Sequence, residues 1–135
     1  MERTILVIED HDDIATLTAL MLKDAGYSVL VAGNGEEGLR LLEQHTVDLV
    51  ILDIMLPGID GWEVCRRLRT AAPTATLPIL FFTVRSGKID QHRVELRMVN
   101  GIIKKPFNRE TLLGKVQAAL APHASMPRGI DTVAC

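Results

Sequence analysis

Five polar side chains each follow an apolar run, at the point where a buried strand would end: Glu9, Asp10, Asp53, Thr83 and Lys105. Asp53 closes the longest of these runs, and Pro57 and Gly58 turn the chain shortly after it. Because a charge inside an apolar strand is costly, we place Asp53 at the carboxyl end of its strand, where the sheet meets solvent. Each of the five also has an ordinary interpretation as a turn, strand or surface residue. Their shared placement predicts one polar site.

Three carboxylates in one site repel one another, and a bound cation relieves that repulsion. Mg²⁺ suits this role, since it takes oxygen ligands, keeps several waters and needs only a few carboxylates. The cation, the Lys105 ammonium and the Thr83 hydroxyl would then surround a space beside Asp53 that suits an incoming phosphoryl group. Carboxylates form acyl phosphates, and Asp53 is the best candidate nucleophile because it lies on the central strand.

Apolar runs and helical spacing alternate along the chain and predict the elements that position these residues. Strands are predicted at 4–8, 27–31, 47–53, 78–83 and 101–104. Apolar residues at helical spacing, often preceded by a capping residue, predict helices that begin near residues 14, 34, 60, 87 and 108, the fourth being weak and highly charged.

Five strand–helix units joined by short connections predict a parallel sheet with helices on both faces. Right-handed crossovers leave few arrangements open. We therefore predict an α/β, flavodoxin-like, doubly wound sheet of five parallel strands in the order 2-1-3-4-5. In such sheets ligands bind at the carboxyl ends of the strands, which is the edge that carries the five polar residues.

The chain of 135 residues is 47% hydrophobic and 24% charged, proportions typical of one soluble globular domain. A net charge of −2 argues against a nucleic-acid-binding surface. No apolar run approaches the ~20 residues that span a bilayer, and no signal-peptide pattern is present. The two cysteines lie far apart, which favours free thiols in a reducing compartment. We expect a cytoplasmic protein with a domain at 1–121 and a tail or linker stub at 122–135.

The sequence resembles the response regulator receiver domains of two-component signalling, the CheY-like superfamily, over roughly residues 3–121. The resemblance rests on four motifs: Glu9-Asp10 after an apolar strand, Asp53 followed by Pro57 and Asp60-Gly61, Thr83 after the fourth strand, and Lys105-Pro106-Phe107. Together they are highly specific, although any one of them alone is weak.

The resemblance implies that Asp53 accepts a phosphoryl group from a phosphohistidine on a sensor histidine kinase or a phosphotransfer protein. It implies that Mg²⁺ is held by three carboxylates and one backbone carbonyl: those of Glu9, Asp10 and Asp53, and that of Met55. Thr83 and Lys105 would contact the phosphoryl oxygens, and the domain would hydrolyse its own acyl phosphate. A cis peptide bond before Pro106 is also implied.

Two positions depart from the usual pattern of this family. Receivers usually carry an aromatic residue three positions before the active lysine, where this chain has Ile102, and a small residue after the threonine, where it has Val84. A branched Val84 over the site is predicted to slow the entry of water or small phosphodonors. These departures keep one alternative open, a receiver-fold docking module whose phosphorylation is vestigial.

The resemblance places the signalling surface at 87–120, where Val94, Val99 and Ile102 would either contact a downstream protein or lie in the core. Trp62 is either a partner contact or packs beside the site. We expect no direct contact with nucleic acid or membrane, and a monomer or weak dimer. We expect either a stand-alone receiver or the N-terminal part of a longer regulator.

His11 is close enough in sequence to the acidic residues to tune metal binding, but a solvated loop residue is the favoured interpretation. Two other phosphate-handling folds fit less well. A haloacid-dehalogenase-type phosphatase needs a second aspartate two residues after the nucleophile, where Met55 stands. A flavodoxin-type or nucleotide-binding domain wants a glycine-rich or hydroxyl-rich loop after the first strand, where 9–13 is acidic.

Overall fold

The computed structural model describes residues 2–84 and 98–121, and for Val84 it describes the backbone alone. The predicted helix at 87–98 lies outside the described residues except for Met98. The predicted tail at 122–135 and the expected surface residue Val94 lie outside them as well.

The described strands form one parallel sheet. They are β1 (Thr4–Ile8), β2 (Ser28–Ala32), β3 (Leu49–Asp53), β4 (Ile79–Val84) and β5 (Gly101–Lys105). Their order is β2-β1-β3-β4-β5, and all four neighbouring pairs are parallel. The predicted fold class and strand order are therefore confirmed, with strand ends within two residues of those expected.

The described helices are α1 (Asp12–Asp24), α2 (Gly35–Gln44), α3 (Gly61–Thr70) and α4 (Arg109–Leu120), with a short 3-10 turn at Ala72–Thr74. Three of them begin after an Asn or Asp whose side chain accepts the backbone N–H three residues on: Asn34, Asp60 and Asn108, at 2.8, 2.9 and 2.7 Å. This bond satisfies one of the amides that a helix start leaves unpaired. The predicted helix starts at these positions are confirmed.

Alternate residues of each strand point to opposite faces of the sheet, so the core has two halves. One half joins Leu6, Val50, Leu52 and Phe81 to α3 residues such as Val64 and Leu68. The other joins Ile5, Val7, Ile51 and Phe82 to Leu22 of α1 and to Leu112 and Val116 of α4. Helices therefore cover both faces, and the strand ends are left open as the place for a ligand.

Leu17 and Leu20 are among the apolar residues whose helical spacing predicts α1. The helix is present, but these two residues do not form its buried side. Their exposed fractions are 50% and 59%, while the buried residues of α1 are Ala15, Thr18, Ala19 and Leu22. The side that packs on the sheet thus combines three small residues with Leu22, and Leu17 and Leu20 lie on the outer surface of the helix.

Candidate functional site

Parallel pairing brings the carboxyl ends of four strands to one edge of the sheet. Ile8 at the end of β1 pairs with Leu52, so Glu9 lies level with Asp53. On the other side of β3, Asp53 pairs with Phe82. The next pairs, between β4 and β5, are Thr83 with Lys104 and Val84 with Lys105. The register therefore gathers the polar residues that the sequence places at strand ends.

The side chain of Lys105 connects two of the carboxylates. Its Nζ lies 2.9 Å from Oδ2 of Asp53 and 2.5 Å from Oε1 of Glu9, and its side chain is only 10% exposed. Lys104, the neighbouring lysine, is exposed. The peptide bond between Lys105 and Pro106 is cis, as the resemblance implies. One ammonium thus faces two buried carboxylates at the end of the central strand.

The loop after β3 holds the Asp53 carboxylate from the other side. Its Oδ1 accepts the backbone N–H of Met55 at 2.9 Å. The loop returns to the strand at Gly61, whose N–H donates to the carbonyl of Ile54 at 2.9 Å. A Cβ at Gly61 would lie 2.5 Å from the backbone oxygen of Asp53, so only glycine fits there. Gly61 is thus a positioning residue whose role follows from the tertiary structure.

Burial and charge act together on the ionisation of this site. Burial raises the pKa of the Glu9 carboxyl and Asp53 adds to the effect, while Lys105 opposes it. Burial by itself lowers the pKa of Lys105, but its bonds to the two carboxylates outweigh burial and leave the pKa raised. The ammonium therefore stays protonated at neutral pH, and this single positive charge faces two buried carboxyl groups.

The remaining acidic residue, Asp10, is exposed beside Glu9. His11 follows it, with Nδ1 3.1 Å from Oε2 of Glu9 and 3.4 Å from Oδ1 of Asp10. Glu9, Asp10, His11 and Asp53 each offer one ligand atom, and these four atoms all lie within 4.8 Å of one another. Three carboxylates at this separation form a group able to bind a cation with oxygen ligands.

Comparison with known proteins agrees with this geometry. The family model of the response regulator receiver domain matches residues 5–117. The chain belongs to this family. The chain is 42% identical over 120 residues to the transcriptional regulatory protein AfsQ1 of Streptomyces coelicolor, covering 87% of this chain and 51% of that protein. It is also 42% identical over 120 residues to the uncharacterized transcriptional regulatory protein YrkP of Bacillus subtilis, covering 89% and 50%.

Solved structures resemble this receiver domain over most of their length. The chemotaxis response regulator CheY4 of Vibrio cholerae superposes with a TM-score of 0.79 at 31% identity, covering 87% of this chain and 98% of the other. A CheY-like receiver domain protein from Methanospirillum hungatei gives a TM-score of 0.80 at 26% identity, covering 89% and 94%. The chain spans about half the length of the curated relatives it matches, and nearly the whole of these two structures.

Aromatic side chains form the apolar wall of this receiver domain's site. Phe107 stacks on Phe82 with ring centroids 5.1 Å apart, and the Lys105 ammonium lies 5.4 Å from the Phe82 ring centre. Thr83 is buried at the end of β4, 4% exposed. A cation over an aromatic ring is weakly stabilised, so this wall helps to hold the ammonium at the site.

Three residues considered for partner contacts belong to the interior of the receiver domain. Trp62 is buried and meets Phe81 edge to face with ring centroids 4.9 Å apart. Val99 is buried, and Ile102 is half-buried against the same core cluster. The interpretation of these three as core residues is the one that the structure supports.

His11 combines both interpretations made from its sequence position. Its side chain is 65% exposed, yet its ring nitrogen contacts two acidic residues of the site. Both contacts are with close neighbours in the chain, which agrees with the suggestion that His11 lies near enough to the acidic residues to affect metal binding.

Within 2–84 and 98–121, no helix combines the length and apolar character needed to cross a bilayer.

Proposed function

We propose that Asp53 accepts a phosphoryl group from a phosphohistidine on a sensor histidine kinase or phosphotransfer protein, and that the modified receiver changes its affinity for a partner. The contact that carries this proposal is the 2.9 Å approach of Lys105 to Asp53. It sets a permanent positive charge beside a buried carboxylate, at the strand edge where ligands of this fold bind.

The transfer balances with a proton from solvent as the one further reactant. An oxygen of Asp53 forms a bond to phosphorus while the bond between phosphorus and the donor's imidazole nitrogen breaks. The electron pair of the broken bond stays on the imidazole, which takes up a proton from water. The Lys105 ammonium and the Thr83 hydroxyl would then face the phosphoryl oxygens. Catalysis of this kind depends mainly on position and charge neutralisation.

The residues of the site fit Mg²⁺. Glu9, Asp10 and Asp53 supply the carboxylate oxygens that a hard cation prefers, and the backbone carbonyl of Met55 would complete the protein ligands. When bound, Mg²⁺ supplies the positive charge that neutralises phosphoryl oxygens. Burial and, to a lesser extent, the Asp53 carboxylate raise the pKa of Glu9, and a bound cation would favour its charged form.

Hydrolysis of the acyl phosphate by the receiver itself is a second part of the proposal. The same charges that favour attack on phosphorus by Asp53 favour attack by water. The domain would then act as a self-resetting switch at residues 1–121, with 122–135 as a tail or linker. We place the protein in the cytoplasm, where such a kinase would present its phosphohistidine.

The donor is proposed to dock on α1. Leu17 and Leu20 are half-exposed on a helix that begins directly after the acidic residues of the site. Exposed apolar side chains beside an active site give a protein donor a contact that a small phosphodonor does not need. The downstream partner is proposed to bind the surface at 87–120. In a longer regulator this surface would link phosphorylation to transcription, since both curated relatives are named transcriptional regulatory proteins.

The test is an intact-mass measurement after incubation with acetyl phosphate and MgCl₂. We expect one added phosphoryl group in the native protein and none in Asp53→Asn. Asp60→Asn is a matched control, since Asp60 is an exposed acidic residue of the same loop and Asn also caps helices well. The absence of an adduct with acetyl phosphate and with a kinase donor would instead favour the docking module.

A further inference from the structure

We propose that His11 is an additional metal ligand, which shifts the preference of the site from Mg²⁺ toward transition-metal ions that favour nitrogen. The proposal rests on the proposed function, because it assumes that the acidic group binds a divalent cation. It concerns the choice of metal and is independent of the phosphoryl chemistry.

The position of His11 is set by its backbone. Its N–H donates to Oε2 of Glu9 at 3.1 Å, and its carbonyl accepts the N–H of Ala15 at 2.9 Å in the first turn of α1. The residue is therefore attached to the site at one end and to the helix at the other. This backbone attachment keeps the base of the His11 side chain next to the two carboxylates.

The ring nitrogen lies beside two of the carboxylates that would hold a cation. Nδ1 is 3.1 Å from Oε2 of Glu9 and 3.4 Å from Oδ1 of Asp10. Ligand atoms around a cation at ~2.1 Å are ~3–4 Å apart, so the observed separations need only small adjustments. A cation held by Glu9 and Asp10 meets the Nδ1 lone pair once the nitrogen has lost its proton.

The chemistry of the donors then decides the metal. Carboxylate oxygens suit Mg²⁺, whereas an imidazole nitrogen suits Zn²⁺, Ni²⁺ and Cu²⁺. With three oxygens and one nitrogen, this site offers a mixed set that a purely acidic site lacks. We expect transition-metal ions to compete effectively with Mg²⁺ here.

The experiment measures Ni²⁺ and Mg²⁺ affinities by titration calorimetry at one fixed pH, for the native protein and three variants. His11→Asn removes the imidazole and retains a residue that favours helix starts. His45→Asn is the matched control, since His45 is exposed at the end of α2 and lies outside the acidic group. Asp10→Asn tests whether Ni²⁺ occupies the acidic group at all.

We expect His11→Asn to lower the ratio of Ni²⁺ to Mg²⁺ affinity by ~10-fold or more, since loss of even an outer-shell partner of a metal ligand costs ~10–100-fold in metal affinity. His45→Asn should leave that ratio unchanged, and Asp10→Asn should weaken the binding of both Ni²⁺ and Mg²⁺. In the native protein, the ring protons of His11 should show large paramagnetic NMR shifts with Ni²⁺.

An unchanged ratio in His11→Asn, or Ni²⁺ binding that survives Asp10→Asn, overturns the proposal. If the native protein still binds Mg²⁺ and is still phosphorylated on Asp53 when either of these outcomes is found, the proposed function stands without a role for His11. If the native protein binds no divalent cation, the metal part of the proposed function fails and the role of His11 fails with it.

Discussion

The ammonium of Lys105 lies 2.9 Å from the carboxylate of Asp53, although 52 positions separate the two residues in the chain. The same nitrogen contacts Glu9, whose side chain is fully buried. The single ammonium of Lys105 on β5 therefore pairs with two carboxylates, one directly after β1 and one at the end of β3. Three strands have to be assembled before this charge balance exists.

Replacement of Lys105 by methionine should destabilise the metal-free protein and slow phosphorylation. Removing one partner of a buried ion pair leaves uncompensated charge and costs about 3 kcal/mol. Urea unfolding gives the stability change, and acetyl phosphate labelling gives the rate. Lys104→Met, on the exposed side of the same strand, is the control and should change neither. Equal stability of the two variants would contradict the importance of the ion pair.

Substitution of Glu9 by glutamine should stabilise the protein in metal-free buffer near neutral pH. The pKa of Glu9 is raised above its usual value of about 4.5, so the folded state holds this proton more tightly than the unfolded state. The charged form thus lowers stability above that pH, and the penalty vanishes as the group protonates. We expect the gain in the free energy of unfolding of Glu9→Gln over the native protein to grow as pH rises from about 4.5 toward neutrality.

Unfolding curves of Glu9→Gln and native protein across that pH range measure the difference. Glu43→Gln, an exposed change of the same charge on α2, controls for net charge. A gain that is constant with pH, or that shrinks as pH rises, would show that Glu9 ionisation is not its source. Mg²⁺ should stabilise the native protein more than Glu9→Gln, because the variant has lost a metal ligand.

Exchange of Gly61 for alanine should disturb the acceptor site through the backbone. The added Cβ would lie 2.5 Å from the backbone carbonyl oxygen of Asp53 and 2.7 Å from the Cα of Ile54, so the loop has to move. Overpacking of this kind costs about 1–3 kcal/mol. Phosphorylation of Asp53 should slow as its carboxylate shifts.

Gly114 provides the matched control for that substitution. It lies on α4, where a Cβ would meet nothing within 4 Å. Gly114→Ala should stabilise the protein by roughly 0.5–1 kcal/mol, because alanine favours the helix. If Gly61→Ala and Gly114→Ala unfold at the same urea concentration, the added Cβ at Gly61 does not destabilise the protein by crowding.

The double substitution of Leu17 and Leu20 by glutamine should separate the two kinds of phosphodonor. Both residues are half-exposed, so the free energy of unfolding should change by no more than ~1 kcal/mol in total. Transfer from a kinase should fall by on the order of tenfold through loss of apolar contact. Labelling by acetyl phosphate should stay unchanged. Equal effects on both donors would exclude α1 as the docking surface.

The alternation of elements and the helix caps at Asn34, Asp60 and Asn108 were readable from the amino-acid sequence. They follow from local chemistry, because apolar periodicity and capping residues act over a few positions. The strand order followed from the fold class, because right-handed crossovers leave few arrangements open. The strand-end placement of the polar residues followed as well, since parallel strands must present their carboxyl ends at one edge.

Contacts between separate segments emerge only in the folded protein. The Lys105 ammonium reaches Glu9 and Asp53, which lie 96 and 52 positions away in the chain, and the crowding at Gly61 depends on how the loop after β3 returns to that strand. The buried side of α1 also depends on the fold, since packing against the sheet leaves Leu17 and Leu20 exposed although both are apolar residues at helical spacing. Local patterns carry no information on such distances, which arise when separate segments fill the same space.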